Sequence, residues 1–178
     1  MEPVELSIVL ATRGVARRVT RGRRDERADP PWATEYPMEG DQRACHAYLR
    51  QLPVIGGAAR SQPFGYYQIV LDGEVVGGIG FHGPPRDGVV EIGYGVVPSA
   101  RGQGVATRAL GMILDVGSGF DRVQRVMGRT TPENVASQKV MMGVGMRPIG
   151  RDPEFLHYGI DIEEWRSDEA GSRGSASG

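Results

Sequence analysis

Hydrophobic and polar residues alternate with a period of two in several stretches of this chain and recur at helical spacing in others. Val4, Leu6, Ile8 and Leu10 alternate with Glu5 and Ser7, which predicts a first strand. From Ala11 to Asp29 a helix is expected, with Val15, Ala16 and Val19 on one side. Pro30 to Met38 reads as an extended loop, in which Trp32 and Tyr36 either line a pocket or plug the end of the core. Asp41 is placed as the N-cap of a second helix reaching Leu52, whose Ala44, Cys45, Tyr48, Leu49 and Leu52 form an apolar stripe. Pro53 to Pro63 reads as a connecting loop. Phe64 to Leu71 and Glu74 to Phe81 form a hairpin closed at Asp72-Gly73, followed by a turn at Pro84 to Gly88.

The most informative stretch runs from Glu91 to Leu110. Ile92, Tyr94 and Val96 fall on one face of a strand, and Glu91, Gly93 and Gly95 on the other. Pro98 and Ser99 stop the ladder. Val105, Ala106, Ala109, Leu110, Ile113 and Leu114 then recur at helical spacing, up to a stop at Gly117-Ser118-Gly119. Beyond it, Arg122 to Arg129 predicts a strand. Thr131 and Pro132 look like the N-cap and first residue of a helix that ends at Gly143 and Gly145. Arg147 to Arg151 and Phe155 to Ile162 are closing strands. Ser167 to Gly178 lacks apolar periodicity and is expected to be a disordered tail.

The turn between strand and helix, Arg101-Gly102-Gln103-Gly104-Val105-Ala106, has the chemistry of an anion cradle. Glycines let the backbone approach a ligand closely, and the first N–H groups of a helix are unpaired and lie at its positive end. Arg101 adds a charged fork suited to phosphate oxygens. A Walker A loop would end in Gly-Lys-Ser/Thr, which the chain lacks, and a Rossmann turn would need a third glycine where Thr107 stands.

Composition narrows the setting. A chain of 178 residues suits one domain, and a net charge of −1 gives no overall field for nucleic acid or anionic membrane. Seven arginines between Arg13 and Arg27 read either as a nucleic-acid-facing patch or as a solvated helix face, and the neutral whole chain favours the second. Lys139 is the single lysine, so the arginine excess is compositional. Cys45 alone forms no internal disulfide and sits in an apolar stripe as a core residue. No apolar run approaches a membrane span, and no signal-peptide layout opens the chain, so a cytoplasmic protein is expected. His46, His82 and His157 show no ligand spacing, and no metal is expected; His82, at a strand end, either faces the cleft or, the favoured reading, is a surface histidine.

The segment Arg101, Gly104 and Ala106 resembles the Arg/Gln-x-x-Gly-x-Gly/Ala acetyl-CoA pyrophosphate loop of the GCN5-related N-acetyltransferases (GNAT). Asn134-Val-Ala-Ser137, followed by Gly145-Met146, is similar to a second motif of that family. Together with Glu-Ile-Gly-Tyr at 91–94 it looks most like the branch that acetylates N-termini of ribosomal proteins. The resemblance covers residues 3 to 165. It implies a single α/β (α+β) domain over residues 1–166, with a mixed, mostly antiparallel sheet splayed at its central strands and flanked by about four helices.

The same resemblance implies transfer of acetyl from acetyl-CoA, as cosubstrate, to a primary amine by direct attack in a ternary complex. The acceptor would be a protein N-terminus or a small molecule. The strands around Val96 and Met127 would splay apart. Backbone groups at Val96 and Val97 would hold the pantetheine arm. Residues Arg101, Gly102, Gln103, Gly104, Val105, Ala106 and Thr107 would bind the pyrophosphate, and Asn134 the cofactor arm.

Glu91 is the candidate base, with desolvation expected to raise its pKa, or else a strand-end glutamate paired with an arginine. The tyrosine with which relatives protonate the leaving thiolate is replaced by Met141, so Ser137 is the candidate acid, or else a helix hydroxyl bonded to its own backbone. Glu35, Glu39 and Asp41 could form an acidic mouth or simply be caps and surface. The alternative function is a non-catalytic acyl-CoA-binding or sensing domain. An exposed edge strand leaves a homodimer open.

Overall fold

The computed structural model describes residues 4–52 and 63–174, so the loop expected at Pro53 to Pro63 lies almost wholly outside the described residues. Strand β1 (Leu6–Leu10) leads into helix α1 (Arg13–Val19), capped by Thr12, whose hydroxyl accepts from the Val15 N–H at 3.2 Å. α1 is much shorter than expected. Gly22 turns the chain at φ 66°, and Asp25 pairs with Arg18 at 2.9 Å while accepting from the Arg27 N–H, folding the arginine-rich stretch into turns. Helix α2 spans Glu39–Gln51. Asp41 is not its N-cap but its third residue, reaching back to accept from the Met38 N–H at 2.9 Å.

Strands β2 (Tyr66–Leu71), β3 (Glu74–Phe81) and β4 (Val89–Val96) follow as an antiparallel meander. After a single 3-10 turn at Pro98–Ala100 come helix α3 (Val105–Ser118), strand β5 (Arg125–Thr130), helix α4 (Val135–Gly143), strands β6 (Arg147–Arg151) and β7 (Leu156–Asp161), and helix α5 (Ile162–Gly174). α4 begins later than Thr131 and Pro132 suggest. Those residues form a turn closed by the Asn134 N–H on the Thr131 carbonyl, and Asn134 takes the cap, accepting from the Ser137 N–H at 3.1 Å.

The expected disordered tail is helical as far as Gly174. Glu163 and Glu164 favour the start of that helix, Trp165 Nε1 donates to Asp115 of α3 at 3.0 Å, and Arg147 pairs with Glu164. Anchoring side chains early in the segment thus override its polar composition.

Among the described residues the single domain holds one mixed seven-stranded sheet in the order β1-β2-β3-β4-β5-β7-β6, with five α-helices, one more than expected. β4 and β5 are its parallel neighbours, and every other adjacent pair is antiparallel. α2 crosses the face bearing Gly93 and Gly95, where Met38 stands against Gly95. α3 packs on the other face, with Gly117 close to Phe81 and Val126. The core between these layers includes Trp32 and Tyr36, both buried with rings edge to face at 5.0 Å, so the two plug the core and do not line an exposed pocket. Cys45 is fully buried, and burial pushes its thiol pKa up, as suits a core residue.

Candidate active site

β4 and β5 stay paired only from Val89↔Arg125 to Ile92↔Gly128. Met127 therefore sits in the paired part opposite Glu91, and the sheet opens one step later, at Gly93 to Val96. On the other side β4 remains hydrogen-bonded to β3. The Val97 N–H donates to Val76 O at 2.8 Å, and Glu91 O accepts from the His82 N–H at 2.8 Å. Since antiparallel partners alternate along a strand, Tyr94 and Val96 turn their backbone groups toward the opening. The Val96 carbonyl is taken by Arg101 Nε at 2.9 Å, which leaves the Val96 N–H and both backbone groups of Tyr94 free toward the gap. Val97 bonds to β3 and contributes no free N–H there.

The glycine-rich loop lies at the end of this opening. Gly102 and Gly104 have φ values of 73° and 74°, in the left-handed region, and Gly104 is the residue before α3. A Cβ built on either would meet nothing within 4 Å, so the glycines serve backbone conformation and an open face, not packing. Among the described residues no acceptor meets the N–H groups of Gly102 to Thr107. Six consecutive donors, several at the positive end of a fourteen-residue helix, fit a pyrophosphate. Arg101 bonds through Nε alone, so its terminal nitrogens stay available.

Across the opening, the Tyr94 hydroxyl meets Ser137 Oγ at 2.9 Å and donates to the Ser137 carbonyl at 3.1 Å. Desolvation, the larger effect, raises the Tyr94 pKa, so its O–H keeps its proton. Asn134 has its carbonyl oxygen engaged in the α4 cap and its amide nitrogen left over.

Glu91 departs from expectation. Its Oε1 lies 2.9 Å from Arg129 Nε and 3.2 Å from His82 Nδ1. The contact with His82 first, then the charges of His82 and Arg129, hold its carboxyl below the usual range against the opposing effect of burial. The expected upward shift is overturned, because the contacts with His82 and Arg129 outweigh partial desolvation. The glutamate is ionised and paired.

Beside the opening, between α2 and the sheet, lies a cleft of about 530 Å³. Its floor is bare because two cross-strand pairs are all glycine, Gly78↔Gly95 and Gly80↔Gly93. Met38, Ala44, Ala47 and Phe81 give it apolar walls. Its one carboxylate among the described residues is Asp41, 3 % exposed, which accepts from the Tyr66 hydroxyl at 2.9 Å. Tyr66 in turn meets the Tyr36 hydroxyl at 2.9 Å, and Gln68 donates to Tyr36. Burial pushes the Asp41 carboxyl up to about 6, against the lowering effect of its bonds to Met38 and Tyr66.

Of the other two acids considered for an acidic mouth, Glu35 bonds Ser99 and Glu39 pairs with Arg43. Gly93 and Gly95 mark half of this floor in the sequence as a bare strip; Gly78 and Gly80 opposite them, on another strand, and Tyr66 were missed, and His82 takes the less favoured of its two readings.

The sequence matches the family profile described as acetyltransferase (GNAT) domain over residues 18–147. The chain belongs to the GNAT family. A curated relative, the uncharacterized N-acetyltransferase YjdG of Bacillus subtilis, is 30% identical over 86 residues, 48% of this chain and 51% of the relative, so the match spans about half of that protein. Among solved structures, Mycobacterium smegmatis RimJ in complex with CoA-disulfide is 25% identical with a TM-score of 0.63, over 89% of this chain and 83% of that one. Spermidine N-acetyltransferase from Vibrio cholerae in complex with CoA and spermine has the same TM-score at 13% identity, over 90% and 98%. The fold therefore does not choose between acceptors. Among the described residues no helix is long and apolar enough to cross a membrane.

Proposed function

We propose that this protein transfers an acetyl group from acetyl-CoA to the primary amine of an acceptor with a compact apolar body, with peptide N-termini as the leading class. The observation that carries the reading is the coincidence of an unzipped β4 edge with six unpaired N–H groups at the start of α3. Bound acetyl-CoA supplies an activated acetyl thioester. Gly102 to Thr107, with Arg101, hold its pyrophosphate. The free backbone groups of Tyr94 and Val96 bind its arm as a neighbouring strand would, and the Asn134 side-chain amide adds a donor. The Val96 N–H donates toward charge developing on the carbonyl oxygen.

The cleft beside the opening admits the acceptor. It favours a single ammonium over a polycation, since Asp41 is its lone carboxylate among the described residues and already accepts two hydrogen bonds. The segment 53–62 carries no Asp or Glu to add. Amine attack forms the C–N bond, the C–S bond breaks, and the thiolate leaves with a proton, for which the Tyr94–Ser137 pair is the nearest donor set. Glu91 serves this step while paired with His82 rather than as an isolated base.

CoA release should be followed with peptides, apolar monoamines, spermidine and an aminoglycoside, beside a thermal-shift titration with acetyl-CoA. Release with peptides or monoamines is the expected result. A thermal shift with no release from any acceptor would support an acyl-CoA-binding domain instead, and turnover confined to polycations would overturn the acceptor class.

A further inference from the structure

We propose that His82 is the base that takes the proton from the acceptor amine, with Glu91 as the positioning residue that holds its ring; the proposal rests on the acetyl-transfer reading above. His82 lines the acceptor cleft, whereas Glu91 does not. The Nδ1 edge of the imidazole faces Glu91 Oε1 at 3.2 Å. The Nε2 edge stands over Gly93, so close that a Cβ on residue 93 would lie 2.7 Å from it. The missing side chain is thus what admits the ring. Gly93 is also the first residue of β4 beyond its last pair with β5, so Nε2 overlooks the point where the sheet opens.

The backbone of His82 is pinned as well. Its N–H donates to Glu91 O at 2.8 Å, and its carbonyl accepts from Gln51 Nε2 of α2 at 3.4 Å. A carboxylate oxygen 3.2 Å from Nδ1 favours, by charge, the tautomer of a neutral imidazole with its proton on Nδ1 and its lone pair on Nε2, facing the cleft. The other charged groups around the ring are Arg129 on β5, which shares Oε1, and Asp41 and Arg43, which reach the same cleft from α2. Asp41 has one oxygen on the Met38 N–H and the other on the Tyr66 hydroxyl and is 3 % exposed, and the Arg43 guanidinium is not a base and pairs with Glu39. In the step, the acceptor ammonium gives one proton to Nε2 and its nitrogen lone pair bonds the acetyl carbon. The Tyr94–Ser137 pair gives the departing thiolate its proton and regains one from the acylated nitrogen, and the imidazolium returns its own to water.

Two measurements on the full-length protein test this. Nitrogen-15 NMR of the neutral His82 ring should show the Nδ1–H tautomer, with Glu91→Ala mixing the tautomers; an Nε2–H ring in the wild type overturns the proposal whether or not turnover is found. His82→Asn, whose amide can keep the contact with Glu91, should lower kcat about a hundredfold or more. It should also abolish the acidic limb of the pH–rate profile while acetyl-CoA affinity by calorimetry stays as in wild type. A variant that keeps the wild-type rate and limb overturns the assignment and leaves acetyl transfer standing. Failure of the wild type to release CoA with any acceptor would instead count against the transfer reading itself.

Discussion

Tyr94 and Ser137 join β4 to α4 across the opening of the sheet, hydroxyl to hydroxyl at 2.9 Å. The pair spans the gap in which the thioester arm would lie, and Tyr94 retains its proton because burial opposes ionisation. Tyr94→Phe is expected to lower kcat about a hundredfold if the phenol protonates the leaving thiolate. Ser137→Ala, which removes only the partner, should cost less. Rates measured with a saturating acceptor and an activated thioester of lower leaving-group pKa provide the check: the defect should shrink with the better leaving group. A defect of equal size for both thioesters would make the contact purely structural.

The glycine-rich loop makes a separate claim. Gly104 has φ 74° and open space where a side chain would point. Gly104→Trp should leave the sheet folded, add about 1–2 kcal/mol of backbone strain, and cover the donors of Gly102 to Thr107. Acetyl-CoA binding by calorimetry should disappear while the far-ultraviolet circular dichroism is retained. Undiminished affinity would remove the pyrophosphate assignment.

How much of this was legible in the letters depended on whether the signal was local. The strand–loop–helix from Glu91 to Leu110 could be read almost residue by residue, because alternation, Pro98 and the glycines act on their own neighbours. So could the order of elements up to β7 and the glycine-rich turn before α3. Asp41 could be read as a helix-start residue, but its position three residues in, and its burial under Tyr66, depend on β2 lying beneath α2. Glu91 illustrates the same limit. Its desolvation follows from being in a sheet, yet His82 arrives from just after β3 and Arg129 from β5, and the contact with His82 above all reverses the sign of the shift. The helix at 162–174 depends on Trp165 finding Asp115, fifty residues away. Contacts distant in sequence decided these three departures, whereas the shorter α1 and the later start of α4 follow from local turns and a local cap.

Gly78 tests the packing beneath the cleft. A Cβ there would stand 2.1 Å from the Tyr66 hydroxyl, inside a buried ring that cannot simply swing away. Gly78→Ala should therefore displace Tyr66, break its bond to Asp41, and lower stability by about 1–3 kcal/mol in urea denaturation. Gly150→Ala should spare this network, since its Cβ would meet no atom and its backbone is not in the left-handed region. Equal losses in the two variants would mean that the Tyr66 ring yields freely.

Asp41 gives a pH dependence whose sign can be worked out. Burial raises its carboxyl from 3.8 in the unfolded chain to about 6 in the folded protein. Because the folded state prefers the protonated form, this contribution to stability is fully present below about pH 4 and is lost as pH rises through about 6. A shift of roughly two units corresponds to about 3 kcal/mol between those limits. Asp41→Asn cannot ionise, so its stability should vary less over that window, and relative to wild type it should gain as pH rises from 4 to 7. Its amide oxygen can still accept from Met38 or Tyr66, which limits the loss at low pH to one hydrogen bond. Urea denaturation of both proteins at pH 4, 5.5 and 7 provides the check. Parallel curves for wild type and variant would mean that Asp41 titrates as an ordinary surface carboxylate and that the cleft is wetter than its lining implies.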